Sequence, residues 1–143
     1  MAPCVRASPD ASRMLQCHHL AMACSVLIVD DHAGFRAQAR ELLAVAGYDV
    51  VGEAADGASG VREASELSPD VVLLDVQLPD VTGFEVIRQI ASKPDPPVIV
   101  LISSRDAADY GSRVARSGAR GFITKAELSA PALAAVLGDM ESQ

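Results

Sequence analysis

Several short apolar runs of this chain end at a side chain that can take part in chemistry. These side chains are the pair Asp30 and Asp31, then Asp75, Ser103 and Lys125. A β-branched apolar run that stops at a polar residue before a Gly, Pro or Asp loop is typical of a buried strand. In open α/β sheets, sites form outside the carboxyl ends of the strands. We therefore expect three carboxylates, a hydroxyl and an ammonium at one edge of a sheet.

The three carboxylates predict a site for Mg²⁺. Clustered carboxylates repel one another, so a nearby cation is needed to keep all of them ionised. Mg²⁺ prefers oxygen ligands, usually one or two carboxylates together with waters and a phosphate. Asp30 and Asp31 are adjacent at one strand end, and Asp75 can coordinate the same ion and still act as a nucleophile. Aspartates form acyl phosphates when phosphoryl transfer is electrostatically assisted, and Lys125 and Ser103 can contact the phosphoryl oxygens.

Each of these residues has a plainer interpretation when it is taken alone. The acid pair could simply cap the following helix. Asp75 and Ser103 could simply be turn residues, and Lys125 could be a solvated charge. These interpretations lose weight because they must hold at four strand ends at once. His32 is interpreted as a surface residue of the first helical turn.

Five β-strand–α-helix units are required to bring these residues together. The alternation of apolar runs with helical spacing predicts a parallel sheet covered by helices on both faces. This is an α/β fold of the flavodoxin-like, doubly wound type, with strand order 2-1-3-4-5. The second strand suits the edge position because it carries no reactive group at its end. The predicted strands lie at about 26–29, 50–54, 71–74, 98–102 and 121–124.

Two helices near the C-terminus matter for the function. The fourth is predicted over about 107–117, although Gly111 inside it lowers helix propensity. The fifth is predicted to begin after Ser129 as its N-cap.

Composition limits the function further. The 143 residues favour one domain, and a net charge of -7 argues against broad nucleic-acid binding by it. Residues 1–24 show no periodicity and are predicted to be a disordered extension, and Met22 is a candidate start. The sequence contains no apolar stretch of membrane-spanning length. Its three cysteines, Cys4, Cys17 and Cys24, are odd in number and favour a reducing, cytoplasmic setting over a disulfide framework.

The motifs VLIVDDH, VVLLDVQLPDVTGFEV, VIVLISS and GARGFITK resemble the receiver domain of bacterial two-component response regulators. The resemblance covers about residues 25–140, within a receiver domain placed at 25–143. The separations of 28 residues from Asp75 to Ser103 and of 22 from Ser103 to Lys125 also fit. It implies that Asp75 accepts phosphoryl and that Ser103 and Lys125 sense it. Asp30, Asp31, Asp75 and the Gln77 backbone carbonyl would bind Mg²⁺.

The same resemblance assigns further roles and shows one departure. Phe122 occupies the aromatic-switch position, and Gln77 and Arg105 occupy the positions that tune the lifetime of the acyl phosphate. Ser104 is the fallback for the hydroxyl. Ala126 stands where many receivers have a proline, so the loop after the lysine is expected to be less rigid.

The function implied by the resemblance is a phosphorylation-activated switch, not a turnover enzyme on an external substrate. Its partners would be a sensor histidine kinase or phosphotransfer protein and an unknown output protein, with a phosphorylation-dependent homodimer as an option. The output surface is expected at the fourth helix, fifth strand and fifth helix, in a single-domain regulator. Alternatives are the receiver half of a DNA-binding regulator and a phosphorylation-independent interaction module. A flavin protein ranks last because acids stand where a phosphate-binding loop is needed.

Overall fold

The computed structural model describes residues 24–141, with side chains described up to residue 138. The predicted extension at 1–24 therefore lies outside the described residues, apart from Cys24. Five strands form one parallel sheet. They are β1 (Ser25–Val29), β2 (Asp49–Ala54), β3 (Val71–Asp75), β4 (Val98–Ser103) and β5 (Gly121–Thr124). Their order, β2-β1-β3-β4-β5, confirms the predicted doubly wound α/β fold.

Helices follow the strands and cover both faces of the sheet. They are α1 (Ala33–Val45), α2 (Gly57–Leu67), α3 (Gly83–Ala91), α4 (Arg113–Arg116) and α5 (Ala130–Glu141). One face carries α1 and α5 over the buried residues Val26 and Ile28 of β1. The other face carries α2 and α3 over Leu27 and Val29. Alternate residues of the same buried strand thus serve two cores, as expected for a parallel sheet that is covered on both sides.

The prediction of one continuous fourth helix over 107–117 is wrong. The structure has a 3-10 turn at Ala107–Tyr110 and then the single turn of α4. Gly111 separates them with a φ of 60° and a ψ of -136°, a conformation that glycine adopts without a Cβ penalty. The chain therefore has a break between the end of β4 and α4. Gly118, at a φ of 93°, ends the segment as predicted.

The start of α5 agrees with the sequence. The Ala132 backbone N–H donates a hydrogen bond of 3.1 Å to the Ser129 hydroxyl, which is the predicted N-cap interaction. Leu133 and Leu137 then anchor the helix in the core beside β1. This packing fixes the helix that follows the Lys125 strand end.

Cys24 differs from the interpretation of reduced cysteines. It is buried just before β1 and is disulfide-bonded in the structure. The other two cysteines, Cys4 and Cys17, lie outside the described residues. Within residues 24–141, no helix is both long and apolar enough to cross a bilayer.

Candidate functional site

Asp30 directly follows the interior strand β1 and is completely buried. Its backbone N–H donates to the Ala54 carbonyl at 2.9 Å, which extends the pairing with β2. Arg36 donates to the Asp30 carbonyl at 2.7 Å and to the Glu53 carboxylate at 2.9 Å. Hydrogen bonding by Arg40 and Arg36 lowers the pKa of Glu53, so this brace keeps its charge. The Asp30 backbone is therefore held from both sides.

Asp31 and His32 lie on the solvent side of Asp30. The Asp31 side chain is 35% exposed and that of His32 is 68% exposed. The His32 backbone N–H donates to Asp30 Oδ1 at 2.8 Å, and His32 Nδ1 lies 3.2 Å from an oxygen of each acid. The interpretation of His32 as a surface residue is correct, but it missed this ring contact with both carboxylates.

Asp75 ends β3, the strand beside β1, and is buried next to Asp30. Lys125 Nζ lies 2.6 Å from Asp30 Oδ2 and 3.2 Å from Asp75 Oδ2, so it bridges the two carboxylates. The other Asp75 oxygen accepts the Gln77 backbone N–H at 3.2 Å. Burial raises the pKa of Asp75, and the Asp30 charge raises it further, whereas Lys125 opposes the rise. Lys125 therefore helps to keep Asp75 ionised, as a nucleophile must be.

Lys125 is positioned by its own loop. Burial alone would lower the pKa of Lys125, but the hydrogen bonds and charges of Asp30 and Asp75 outweigh it and leave the pKa raised. Its ammonium also lies 4.7 Å from the centre of the Phe35 ring. A 3-10 turn at Lys125–Glu127 follows β5, and the Thr124 hydroxyl donates to Glu127 at 3.0 Å across it. This hydrogen bond braces the loop in which Ala126 replaces the expected proline.

The donor set at this edge fits a hard divalent cation. Asp30, Asp31, His32 and Asp75 each offer a ligand atom, and these atoms lie within 4.8 Å of one another. Three of the four residues offer carboxylate oxygens, the ligands that Mg²⁺ prefers. The Lys125 ammonium already contacts Asp30 and Asp75. The acidic site therefore attracts positive charge, which is the property that Mg²⁺ binding requires.

Ser103 lies at the end of β4 and is 1% exposed, whereas its neighbour Ser104 is exposed. Burial at the sheet edge favours Ser103 over the fallback. Its hydroxyl accepts the Arg105 backbone N–H at 3.0 Å and lies 2.7 Å from the Tyr110 hydroxyl. Both partners belong to the loop after β4 rather than to the acidic site. The structure thus places Ser103 at the correct edge, with its hydroxyl bonded to that loop.

Phe122 belongs to an aromatic cluster with Phe84 and Tyr110. The Tyr110 ring lies 5.8 Å from the Phe84 ring at 71° and 6.1 Å from the Phe122 ring at 56°, between ring centres. The Arg113 guanidinium carbon lies over the Phe84 ring, 4.4 Å from its centre. All three rings are partly buried against the α3 side of the sheet. The predicted switch residue is therefore linked to Ser103 through Tyr110.

Gln77 and Arg105, the predicted rate-tuning pair, are both exposed beside the site. Each contributes a backbone N–H to a site residue: Gln77 to Asp75 and Arg105 to Ser103.

Sequence reasoning missed the residues that hold the site in place. Asp80, in the loop after Asp75, accepts the Gly57 and Ala58 backbone N–H groups at 2.8 and 3.0 Å and so ties that loop to α2. A Cβ on Gly83 would lie 2.5 Å from the Asp75 carbonyl oxygen, so only glycine fits there. Tyr110 could have been found from its spacing, because it stands three residues after Ala107 within the helix predicted over 107–117.

The response regulator receiver domain family matches residues 26–137 of this chain. This match includes every residue discussed for the site. It covers most of the 143 residues.

Individual relatives agree with the family match. A Pseudomonas aeruginosa protein provisionally named a transcriptional regulator is 42% identical over 103 residues, which are 71% of this chain and 49% of that protein. The DNA-binding transcriptional activator EvgA of Escherichia coli is 32% identical over 103 residues, 72% of this chain and 50% of EvgA. The chain thus spans about half the length of these curated relatives. The crystal structure of the response regulator domain of Thermotoga maritima CheB has a TM-score of 0.72 and 30% identity, covering 85% of this chain and 98% of that one.

Proposed function

Because the chain belongs to the response regulator receiver domain family, we propose that it accepts a phosphoryl group on Asp75 and is activated by it. The observation that supports this most strongly is the placement of the Asp75 carboxylate 3.2 Å from the Lys125 ammonium, beside Asp30. A nucleophile, a counter-charge for the transferred group and a cation site thus share one sheet edge. The test is phosphoryl uptake from acetyl phosphate that requires both Mg²⁺ and Asp75.

The proposed step is a displacement at phosphorus. An Asp75 carboxylate oxygen forms a bond to the phosphoryl phosphorus while the bond from phosphorus to the donor breaks. When the donor is a phosphohistidine of a sensor kinase or phosphotransfer protein, the imidazole leaves and takes up a proton. Bound Mg²⁺ would neutralise charge on the phosphoryl oxygens during the transfer of the phosphoryl group. Asp30, Asp31 and Asp75 would hold the ion, together with the Gln77 backbone carbonyl.

The chain's own groups have defined tasks in this proposal. Lys125, already 3.2 Å from Asp75 Oδ2, would contact one oxygen of the phosphoryl group once it is attached. Ser103 would donate to another after its hydroxyl leaves the loop. The product is a self-modified protein rather than a released product, so the chain is not proposed to be an enzyme on an external substrate.

The proposed output surface consists of α4, β5 and α5, with Phe122 as the aromatic switch. Support comes from the break at Gly111, which makes the segment before α4 easy to reposition. A phosphoryl group adds close to two negative charges, and Lys125 and Ser103 would be drawn toward it. Because Lys125 follows β5 and Ser103 ends β4, their movement would reach β5 and the 3-10 turn at Ala107–Tyr110. Phosphorylation would then shift an equilibrium between two packings.

Beryllofluoride with Mg²⁺, a phosphoryl mimic, is expected to change amide chemical shifts in β5, at Phe122 and through the segment from the 3-10 turn to α4. The same titration of Asp75→Asn should leave these shifts unchanged, because the mimic has no carboxylate to join. Changes limited to the loops after β1, β3 and β4, with Phe122 silent, would refute this output surface.

Gln77→Ala and Arg105→Ala are expected to change the lifetime of the acyl phosphate several-fold. Their exposed side chains would govern how water reaches the acyl phosphate, while substitution retains the backbone N–H groups that hold Asp75 and Ser103. Decay of the phosphorylated protein after donor removal gives the lifetime, and Mg²⁺ affinity should stay close to that of the wild type. Ser104→Ala, an exposed neighbour, is the control. Unchanged decay in both variants would exclude a tuning role.

A second candidate function is control of a DNA-binding domain. It is favoured by EvgA, which is a DNA-binding activator about twice as long as the matched region. In that case the receiver surface would regulate the attached domain rather than a separate output protein, and the negatively charged receiver itself would not contact DNA. The intact mass of the protein purified from its source organism tests this: a mass well above 14.9 kDa supports the second candidate.

We propose a cytoplasmic location, where a kinase would phosphorylate the chain. The disulfide of Cys24 is the observation that opposes this location. Thiol titration of the protein isolated under non-reducing conditions shows whether Cys24 is reduced, as a cytoplasmic location requires, or disulfide-bonded.

A phosphorylation-dependent homodimer through the output surface is also proposed, and sedimentation with and without beryllofluoride tests it.

A further inference from the structure

The Ser103 hydroxyl is already engaged before any phosphoryl group is present. Its oxygen lies 2.7 Å from the Tyr110 hydroxyl and 3.0 Å from the Arg105 backbone nitrogen. Asp75, by contrast, accepts hydrogen bonds from Lys125 and Gln77. The described hydrogen bonds of Ser103 thus lie on the loop side, away from the residue it is proposed to sense.

Tyr110 is well placed to fix that hydroxyl. Its ring is packed against Phe84 and Phe122 in the aromatic cluster, so its hydroxyl cannot swing freely. It ends the 3-10 turn, and Gly111 follows it with a positive φ. The two hydroxyls form a part-buried pair, and the 2.7 Å between their oxygens is the usual length of an O–H···O hydrogen bond.

From this geometry we propose that Tyr110 is a positioning residue that holds Ser103 in the unphosphorylated arrangement. The proposal rests on the proposed function at Asp75. To reach a phosphoryl oxygen on Asp75, the Ser103 oxygen must leave one or both of its loop partners. Tyr110 therefore sets part of the free-energy cost of activation.

The same contact links the phosphorylation site to the output surface. Loss of the Ser103 hydrogen bond would leave the Tyr110 hydroxyl without its partner at the edge of the aromatic cluster. Tyr110 would then seek water, and the 3-10 turn that it ends could move about Gly111. Phe122, which lacks a hydroxyl, would respond through its ring contact with Tyr110 rather than through Ser103 directly. Tyr110 thus supplies a polar step that Phe122 cannot.

The test is the affinity for beryllofluoride in saturating Mg²⁺. Tyr110→Phe removes only the hydroxyl and keeps the ring that packs in the aromatic cluster. Because a typical hydrogen bond would no longer have to be broken, we expect binding to tighten by roughly two- to tenfold. Tyr48→Phe is the matched control, since Tyr48 packs in the core on the opposite face of the sheet. It should bind as the wild type does.

A double-mutant cycle shows whether the effect acts through Ser103. Ser103→Ala should weaken beryllofluoride binding, and adding Tyr110→Phe to it should change nothing further. A general loosening of the loop by Tyr110→Phe would instead tighten or weaken binding in both backgrounds. The cycle therefore separates a positioning role from a merely structural one.

Fluorescence gives a second readout. The sequence has two tyrosines and no tryptophan, so in Tyr48→Phe the emission comes from Tyr110 alone. Beryllofluoride should change this emission as the hydroxyl changes partner, and Ser103→Ala should remove most of that change.

The outcomes distinguish this inference from the proposed function. Tighter binding by Tyr110→Phe that disappears in the Ser103→Ala background supports the inference. Unchanged binding overturns it, and so does weaker binding, which would show that Tyr110 orients Ser103 toward the phosphoryl group. Failure of the wild type itself to bind beryllofluoride would overturn the proposed function, and this inference with it.

Discussion

Asp75→Asn will lose all phosphoryl uptake from acetyl phosphate, because an amide oxygen is a poor nucleophile and Asp30, the other buried carboxylate in contact with Lys125, is proposed to hold Mg²⁺. The fold should survive. The pKa of Asp75 is raised by burial and by the Asp30 charge, so the ionised carboxylate costs stability above its ordinary pKa. A neutral side chain removes this cost, and Lys125 keeps its ion pair with Asp30. Phosphate-affinity electrophoresis and thermal unfolding measure the two effects.

Asp49→Asn is the matched control for this variant. Asp49 is exposed and begins β2, at the opposite end of the sheet from the acidic site. Its substitution should leave labelling intact. Labelling of Asp75→Asn at the wild-type level would refute the assignment of the acceptor.

Asp31→Ala will weaken Mg²⁺ binding by more than about tenfold, since even partners outside the ligand shell typically contribute 10–100-fold to metal affinity. Phosphoryl uptake should fall with it, because transfer needs the ion to offset charge on the phosphoryl oxygens. The described contact of the Asp31 carboxylate is with His32, so little packing is lost. Calorimetric titration with Mg²⁺ measures the affinity, and labelling at increasing Mg²⁺ shows whether a higher concentration restores uptake.

Asp49→Ala provides the control for charge alone. Asp49 is exposed and begins β2, at the opposite end of the sheet from the acidic site. The Asp49→Ala substitution removes one negative charge from the protein, yet it should leave the Mg²⁺ affinity near the wild-type value. Wild-type labelling of Asp31→Ala, or labelling of the wild type in excess EDTA, would contradict a metal-dependent mechanism.

The sheet edge could be predicted from the sequence because the strands are short apolar runs with abrupt polar ends. Burial on both faces of β1, β3 and β4 requires such runs, and parallel order then brings Asp30, Asp75 and Lys125 together. Ser103 was also placed at the correct edge. These features depend on local sequence and on one topological rule, which is why the sequence sufficed.

The missed features depend on contacts between distant segments or on a single backbone angle. The fourth helix was predicted as continuous because helical spacing does not reveal that Gly111 adopts a positive φ. The contact between the Ser103 and Tyr110 hydroxyls involves the 3-10 turn at Ala107–Tyr110, which the predicted continuous helix does not contain. Arg36 and Asp80 hold the site through hydrogen bonds between separate elements, which hydrophobic periodicity does not predict. The supporting contacts therefore required the three-dimensional structure.

The most direct test of the central claim is to identify the modified residue in the wild-type protein. The protein is treated with acetyl phosphate and Mg²⁺, reduced with borohydride to convert any aspartyl phosphate to homoserine, digested, and analysed by peptide mass spectrometry. The account predicts homoserine at Asp75 alone, and none when EDTA replaces Mg²⁺. Homoserine at Asp30, Asp31 or any other aspartate, or none anywhere, would contradict it.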